Sequence, residues 1–180
     1  ACEGKGIFEG IRKDVWKCGN FCKSDVCVLK TSAGKKYDQI ILIRALFKRW
    51  LEYFLDDYNK IKHRISHCTK NGNQPICTSD CGEKCNCVKE WIGKKRAEWE
   101  EIKKRFFNQY KIKDSDKVFE VKSFLQQQPF NRDFNKAIKP CPTLDAFEKS
   151  KQCNATASSE KGKDGNKSYV IDCLLQELEK

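Results

Sequence analysis

Two histidines, four prolines and no methionine stand in a chain of 180 residues, and no apolar stretch in it is long. The longest purely aliphatic run, Ile40 to Ile43, falls far short of the roughly 20 residues a membrane span requires. No charged segment followed by an apolar one opens the chain, so no signal peptide is read. The G-x-x-x-x-G-K-[ST], G-x-G-x-x-G and G-x-S-x-G patterns are missing too, and Gly4, Gly6 and Gly10 do not fit the dinucleotide spacing. A nucleophilic triad built on imidazole would have to use His63 or His67. These sit one turn apart, the spacing of a helical metal pair, but no Glu lies between them to complete H-E-x-x-H. Solvated histidines near a helix C-terminus are the ordinary reading. Acidic residues such as Asp56, Asp57, Glu98, Glu100 and Glu101 fall on charged helical faces, where pairing with lysine explains them. The residues offer no active site, so a non-enzymatic protein without a cofactor is expected.

Cysteine is what the chain has in abundance, twelve in all. A cytosolic chain rarely carries so many thiols, and an even count in a basic sequence reads as an oxidised extracellular framework. Cys77, Cys81, Cys85 and Cys87 place four sulfurs within eleven residues, just after His67 and Cys68. Zinc sites favour C-x-x-C knuckles, which are absent, and Cys18-x-x-x-Cys22 misses by one residue. Disulfides are therefore expected and no metal, with Cys2, Cys18, Cys22, Cys27, Cys68, Cys77, Cys81, Cys85, Cys87, Cys141, Cys153 and Cys173 all candidates. Twelve cysteines leave the connectivity open, except that Cys68 is expected to bridge to the stretch from Cys77 to Cys87. The protein reads as secreted or surface-exposed, and Ala1 followed at once by Cys2 reads as a cut within a longer ectodomain.

One domain of three parts is expected. Residues 1–37 are Cys- and Gly-rich, with a short helix from Ile7 to Lys17 carrying Ile7, Ile11, Val15 and Trp16, and loop elsewhere. Residues 38–128 form a three-helix core. Ile43, Phe47, Trp50, Phe54, Tyr58, Ile61 and Ile65 recur in steps of four and three, predicting a long helix from Asp38 to His67. Thr69 to Pro75 reads as a turn. After the cysteine cluster, Val88, Trp91, Ile92, Trp99, Ile102 and Phe106 mark a second long helix reaching Tyr110, antiparallel to the first. A third helix from Ser115 to Gln128 carries Val118, Val121, Phe124 and Leu125, and Pro129 stops it. Residues 129–180 form a Cys-stapled tail: a short helix capped by Thr143, a mobile loop from Asn154 to Asn166, and a last helix from Ser168 to Leu178. The predicted fold is all-α, a disulfide-rich bundle built on two long antiparallel helices with a third packing helix and short extra ones.

Net charge is +11, of which +9 falls in residues 1–110 and +2 in residues 111–180. On the second long helix Lys94, Lys95, Arg96, Lys103, Lys104 and Arg105 alternate with Glu98, Glu100 and Glu101. A salt-bridged solvated face is one reading; a patch for a sulfated glycan or an acidic protein surface is the other. Lys95 lies near the apolar stripe, where its stem could cover core. No motif for reading nucleic acid is present. Trp16, Trp50, Trp91 and Trp99 read as core rather than as stacking platforms, and Asn154 and Asn166 open formal glycosylation sequons.

The runs Glu9-Gly-Ile-Arg-Lys-Asp-Val-Trp-Lys-Cys18 and Arg44-Ala-Leu-Phe-Lys-Arg-Trp-Leu-Glu-Tyr-Phe-Leu-Asp-Asp-Tyr-Asn-Lys60 carry a family resemblance. Cys81-x-x-x-Cys85-x-Cys87 and Trp91-x-x-x-Lys95-x-x-x-Trp99-x-x-Ile102-Lys103 extend it, and Cys153 with Ile171-Asp-Cys173 completes it. Together they resemble the C-terminal subdomain, the S3 or C2-like region, of a Duffy-binding-like domain of Plasmodium falciparum erythrocyte membrane protein 1. The related cysteine-rich interdomain regions share the helix pair. The resemblance runs from about Cys2 to Leu125 and then, more weakly, to the end. It implies an all-α disulfide-bonded bundle within a membrane-anchored parasite adhesin on the extracellular face of the infected erythrocyte. It further implies cytoadherence through a host receptor, such as intercellular adhesion molecule 1 or a sulfated glycosaminoglycan, and contact with neighbouring domains of the parent. A host-receptor adhesion module is the leading expectation, a glycosaminoglycan-binding basic module the second and a structural spacer the third. Nucleic acid and membrane insertion are not expected.

Overall fold

The computed structural model describes Phe8, Ile11 and residues 15–30, 39–69, 79–151 and 169–179. Helix α1, Ile43–Arg64, buries Phe47, Trp50, Leu51, Phe54, Leu55, Tyr58 and Ile61, the stripe that steps of three and four dictate. Helix α3, Ser79–Tyr110, buries Val88, Trp91, Ile92, Trp99, Ile102 and Phe106. As α1 advances from Phe47 to Phe54, its ring partners on α3 retreat from Phe106 (5.1 Å) through Trp99 (5.7 Å) to Trp91 (5.9 Å), so the two helices run antiparallel. Trp99, Trp50, Phe54 and Trp91 form one near-parallel stack with centroid spacings of 5.9, 5.0 and 5.9 Å. Helix α4, Lys117–Gln126, sets Phe124 edge-on to Phe47 at 5.1 Å and closes the bundle. Lys111 takes a positive φ of 49° at the end of α3, where Ile112 N bonds Phe107 O at 3.1 Å. That turn is a Schellman motif, and it releases the chain toward α4.

The bundle is disulfide-bonded and mostly helical, as expected, but it carries a three-stranded antiparallel sheet that the sequence reading lacks. Strands β1 (Val15–Phe21), β2 (Ser24–Lys30) and β3 (Ile40–Leu42) lie in that order. The helix expected from Ile7 to Lys17 is thus corrected: Val15 to Lys17 are strand, and alternate rather than consecutive residues of β1 face inward. Phe21 and Ser24 are joined by Cys22 and Lys23, both at positive φ (48° and 68°), the left-handed pair that a two-residue hairpin needs to match strand twist. Cys18 faces Cys27 across the hairpin and is bonded to it.

Helix α1 is correspondingly shorter than expected. Its first predicted turn is β3, where the β-branched Ile40 and Ile41 pair with β2 instead. It ends at Arg64, Ile65 breaks the helix at φ −95°, and α2 (Ser66–Thr69) restarts it. Cys68 on α2 bonds Cys81, within the Cys77-to-Cys87 stretch named from the sequence, and α3 already contains Cys81, Cys85 and Cys87.

Pro129 stops α4 as expected, yet a further helix, α5 (Phe130–Ala137), follows at once and lies along α1. Phe130, Phe134 and Ala137 are buried, Asn59 donates to Asp133 O (2.9 Å), and Lys62 Nζ donates to Ala137 O and Lys139 O (both 2.9 Å). Helix α6 (Leu144–Lys151) starts at Thr143, whose Oγ1 accepts from Ala146 N at 3.2 Å. It is tied to α4 by Lys122–Glu148 (2.8 Å) and to α7 (Val170–Glu179) by Lys151–Glu177. The turn up to Pro75, the loop from Asn154 to Asn166 with both sequons, and Cys2, Cys77 and Cys153 lie outside the described residues.

Candidate binding surfaces

The six basic residues singled out on α3 do not share a face. At about 3.6 residues per turn, Lys94 and Arg105 fall on one flank of the apolar stripe, Arg96 and Lys103 on the other, Lys104 points away, and Lys95 lies within the stripe. Lys95 has only 13% of its side chain exposed and pairs with Glu98 at 2.8 Å; the same carboxylate accepts from Trp50 Nε1 at 2.7 Å. Arg96 pairs with Glu179 of α7 at 2.9 Å. Lys103 bonds Glu100 at 2.5 Å while its ammonium lies 4.9 Å from the Tyr169 ring and 5.5 Å from the Trp99 ring. Arg105 bonds Glu101 at 2.6 Å and reaches both oxygens of Asp25 at 3.2 Å. Lys94 and Lys104 are exposed. Lys95, Arg96, Lys103 and Arg105 are therefore engaged with the chain's own carboxylates, and α3 spreads the charge of the six cations around its circumference.

The Arg105–Asp25 pair also positions the hairpin. Asp25 is 6% exposed, and its backbone N donates to Gln109 Oε1 at 2.8 Å, while Gln109 Nε2 donates to Lys23 O at 3.3 Å. The last turns of α3 thus hold the tip of the sheet. Between sheet and helices a shallow cleft is lined by Trp16, Arg49, Trp50, Tyr53, Asp57 and Glu98. The Arg49 guanidinium lies 5.5 Å from the Trp16 ring and 5.3 Å from the Tyr53 ring, so cation–π contact fills the cleft from within. Trp50, Trp91 and Trp99 are buried in the core, and Trp16 is half-buried against it.

The cysteine candidates divide. Cys18, Cys27, Cys68, Cys81, Cys87 and Cys173 are disulfide-bonded, whereas Cys22, Cys85 and Cys141 carry free thiols, against the expectation for those three. Cys22 projects from the hairpin turn and Cys85 from the solvent side of α3, and both are exposed; Cys141 sits beside Ser150 Oγ at 3.5 Å. The two histidines are separated by the break at Ile65: His63, exposed, lies on α1, and His67 falls in α2. Among the described residues no cluster of three or more His, Cys, Asp or Glu could hold a metal, and no helix is long and apolar enough to cross a membrane.

Two exposed apolar features escaped the sequence reading. Phe119 on α4 is 69% exposed, while Val121, Phe124 and Leu125 of the same helix supply its core face. On the sheet, Val15, Phe21, Ile40 and Leu42 are also open to solvent. A signal for the sheet was present. Val26 to Leu29 and Ile40 to Ile43 are continuous apolar runs of strand length, and such runs mark strands with both faces covered.

A family model described as PFEMP1 DBL domain matches residues 46–180, and one described as Cysteine-Rich Interdomain Region 1 gamma matches residues 1–31. Comparison with curated proteins finds no match. Among solved structures, the N-terminal NTS-DBL1-alpha and CIDR-gamma double domain of the PfEMP1 protein from the Plasmodium falciparum varO strain is similar, with 33% identity and a TM-score of 0.68. The match covers 96% of this chain and 24% of that one, so the chain spans about a quarter of the solved chain's length.

Proposed function

The chain belongs to the PFEMP1 DBL domain family of malaria variant surface adhesins, and on that premise we propose that it is a non-enzymatic module that binds a host cell-surface protein. Intercellular adhesion molecule 1 is one such receptor. In this reading the module acts as part of a membrane-anchored adhesin on the infected erythrocyte, and its binding mediates cytoadherence.

The observation that carries the reading is Phe119. A phenyl ring 69% exposed on a packed helix leaves in water a group whose burial stabilises by about 1.5–3 kcal/mol. The fold makes no use of it. Lys122 and Ser123 lie three and four positions on along α4, and Ser115 and Asp116 stand in the turn and cap just before it, so the residues around the ring in sequence are polar, as in the rim of a protein–protein hot spot. The engaged cations of α3 favour a protein receptor over a polyanion, because a lysine or arginine already paired releases fewer counterions on binding a sulfated chain.

Binding of the oxidised chain, and of the longer adhesin that contains it, to intercellular adhesion molecule 1, other endothelial receptors and heparin tests the reading at physiological and at high salt. Saturable binding to one protein receptor that survives salt is expected. Phe119→Ala is expected to weaken it at least about tenfold, equivalent to about 1.4 kcal/mol, with the unfolding midpoint unchanged. Binding to heparin alone, abolished by salt, would make the module a glycan binder; silence across the whole set would leave it a spacer.

A further inference from the structure

The hairpin register defines two faces of the sheet. Gly19 stands opposite Val26 and Val26 opposite Leu42; Lys17 stands opposite Val28 and Val28 opposite Ile40. Because alternate residues share a face, Val15, Phe21, Val26, Val28, Ile40 and Leu42 lie together on one side, with Lys17, Gly19 and Ser24 among them. Trp16, Cys18, Cys27 and Ile41 lie on the other, packed on the helical core.

The rim of the first side is open, while Val26 and Val28 are half-buried. Phe21 is 70% exposed, Ile40 67%, Val15 55% and Leu42 52%. On the edge strand β1 a Cβ built on Gly19 would meet nothing within 4 Å, so the face is open there as well. An antiparallel sheet that meets water on one side puts polar residues there, as Lys17 and Ser24 are here, whereas four large apolar side chains exposed on that side suit a layer between two packed bodies. One of those bodies is the helical bundle. The other is not found among the described residues.

We infer that the outer face of the β1–β2–β3 sheet is the docking surface for the domain that adjoins this chain in the same polypeptide. Size separates this occupant from the others. Six side chains make a patch of a few hundred Å², well under the roughly 800 Å² per partner that stable complexes of separate chains bury. A second copy or a diffusing receptor would gain little from it. A tethered domain arrives at about millimolar effective concentration, where a small apolar contact suffices, and contacts within one chain are typically of this modest kind. Chemistry agrees: apart from Lys17 and Ser24, the described side chains of this face are aliphatic or aromatic and suit an apolar surface. Position agrees as well. Strands β1 and β2 fall within the residues that match the interdomain-region model, and the similar solved structure is a double domain of which this chain spans 24%. None of the six residues belongs to the receptor site assigned above.

Hydroxyl-radical footprinting read by mass spectrometry tests the inference on the isolated chain and on the longer polypeptide that contains it with its adjoining domain. Phe21, Ile40 and Leu42 are expected to be modified several-fold more slowly in the longer polypeptide, while Phe119 reacts equally in both. In that polypeptide Phe21→Asp combined with Ile40→Asp is expected to restore Leu42 to its isolated reactivity, with the far-ultraviolet circular dichroism unchanged. Equal reactivity of the three residues in both proteins would overturn the inference. So would protection of the isolated chain that grows with its concentration, which marks a second copy, or protection that depends on added receptor. A longer polypeptide that binds its receptor yet leaves the three residues reactive would sink this inference alone.

Discussion

Asp172, at the start of α7, illustrates how single groups are tuned in this fold. Burial pushes its carboxyl above the ordinary Asp range, and only partly do the Lys103 ammonium and the Tyr169 backbone N–H, 3.2 Å from Oδ2, pull it back. Because the folded-state pKa lies above the unfolded value, the stability tied to this group is fully present below the unfolded pKa. It is lost as pH rises through the folded one. Urea unfolding measured in steps from acid to neutral pH should show that loss, and Asp172→Asn, which keeps an acceptor for Tyr169 N–H, should flatten it. Other residue-level features were open to reading in sequence only where geometry is local. Lys95 sits at a stripe position, and the burial of its stem follows from the helical period alone. That Arg96 meets Glu179 and Arg105 meets Asp25 depends on contacts across 83 and 80 residues, which no spacing along α3 encodes. Along α3 Arg96 and Arg105 read as members of one basic patch, and they are in addition ties to α7 and to the sheet.

At the scale of elements, period decided what could be foreseen. The stripes of α1 and α3 repeat over many turns, so their existence and antiparallel pairing were legible. The sheet was not, because its strands are short, and a run such as Ile40 to Ile43 extends a helical pattern as easily as it makes a strand. Helix α5 was hidden by Pro129, taken as the end of the core when it stands immediately before another helix. The Cys68–Cys81 disulfide ties α2 to α3 across 13 residues, close to the loop length for which the chain-entropy estimate is about 3 kcal/mol. Replacing both cysteines with serine should therefore lower the unfolding free energy by roughly 3 kcal/mol, read as a lower urea midpoint at an unchanged slope. A shift near zero would mean that helix packing alone holds this end of the bundle.

For the whole molecule, the question is how a small sheet stays fixed to a helical body. Arg105 and Gln109 answer it from the end of α3, binding Asp25 and the hairpin turn. Arg105→Ala strands the Asp25 carboxylate at 6% exposure and should cost about 2–3 kcal/mol. Adding Asp25→Asn should recover part of that, and a double-mutant cycle in urea reads the coupling directly. The candidate receptor residue, Phe119, belongs to this scale too. Sequence marks it as one more apolar residue of α4, and only the finished packing, which fills the core with Val121, Phe124 and Leu125, shows that it is left over.

The bare outer face of the sheet bears on how such a protein meets an immune system. Phe21, Ile40 and Leu42 are open in the chain taken by itself and, in the docking inferred above, closed once its neighbour is seated. An animal immunised with the isolated chain would raise antibodies to this apolar face, and those antibodies would find nothing to grip on the intact adhesin. Sera depleted on the longer polypeptide should keep a fraction that still recognises the isolated chain and loses it with Phe21→Asp and Ile40→Asp. An immunogen cut at this boundary would spend part of its response on a surface the parasite never shows.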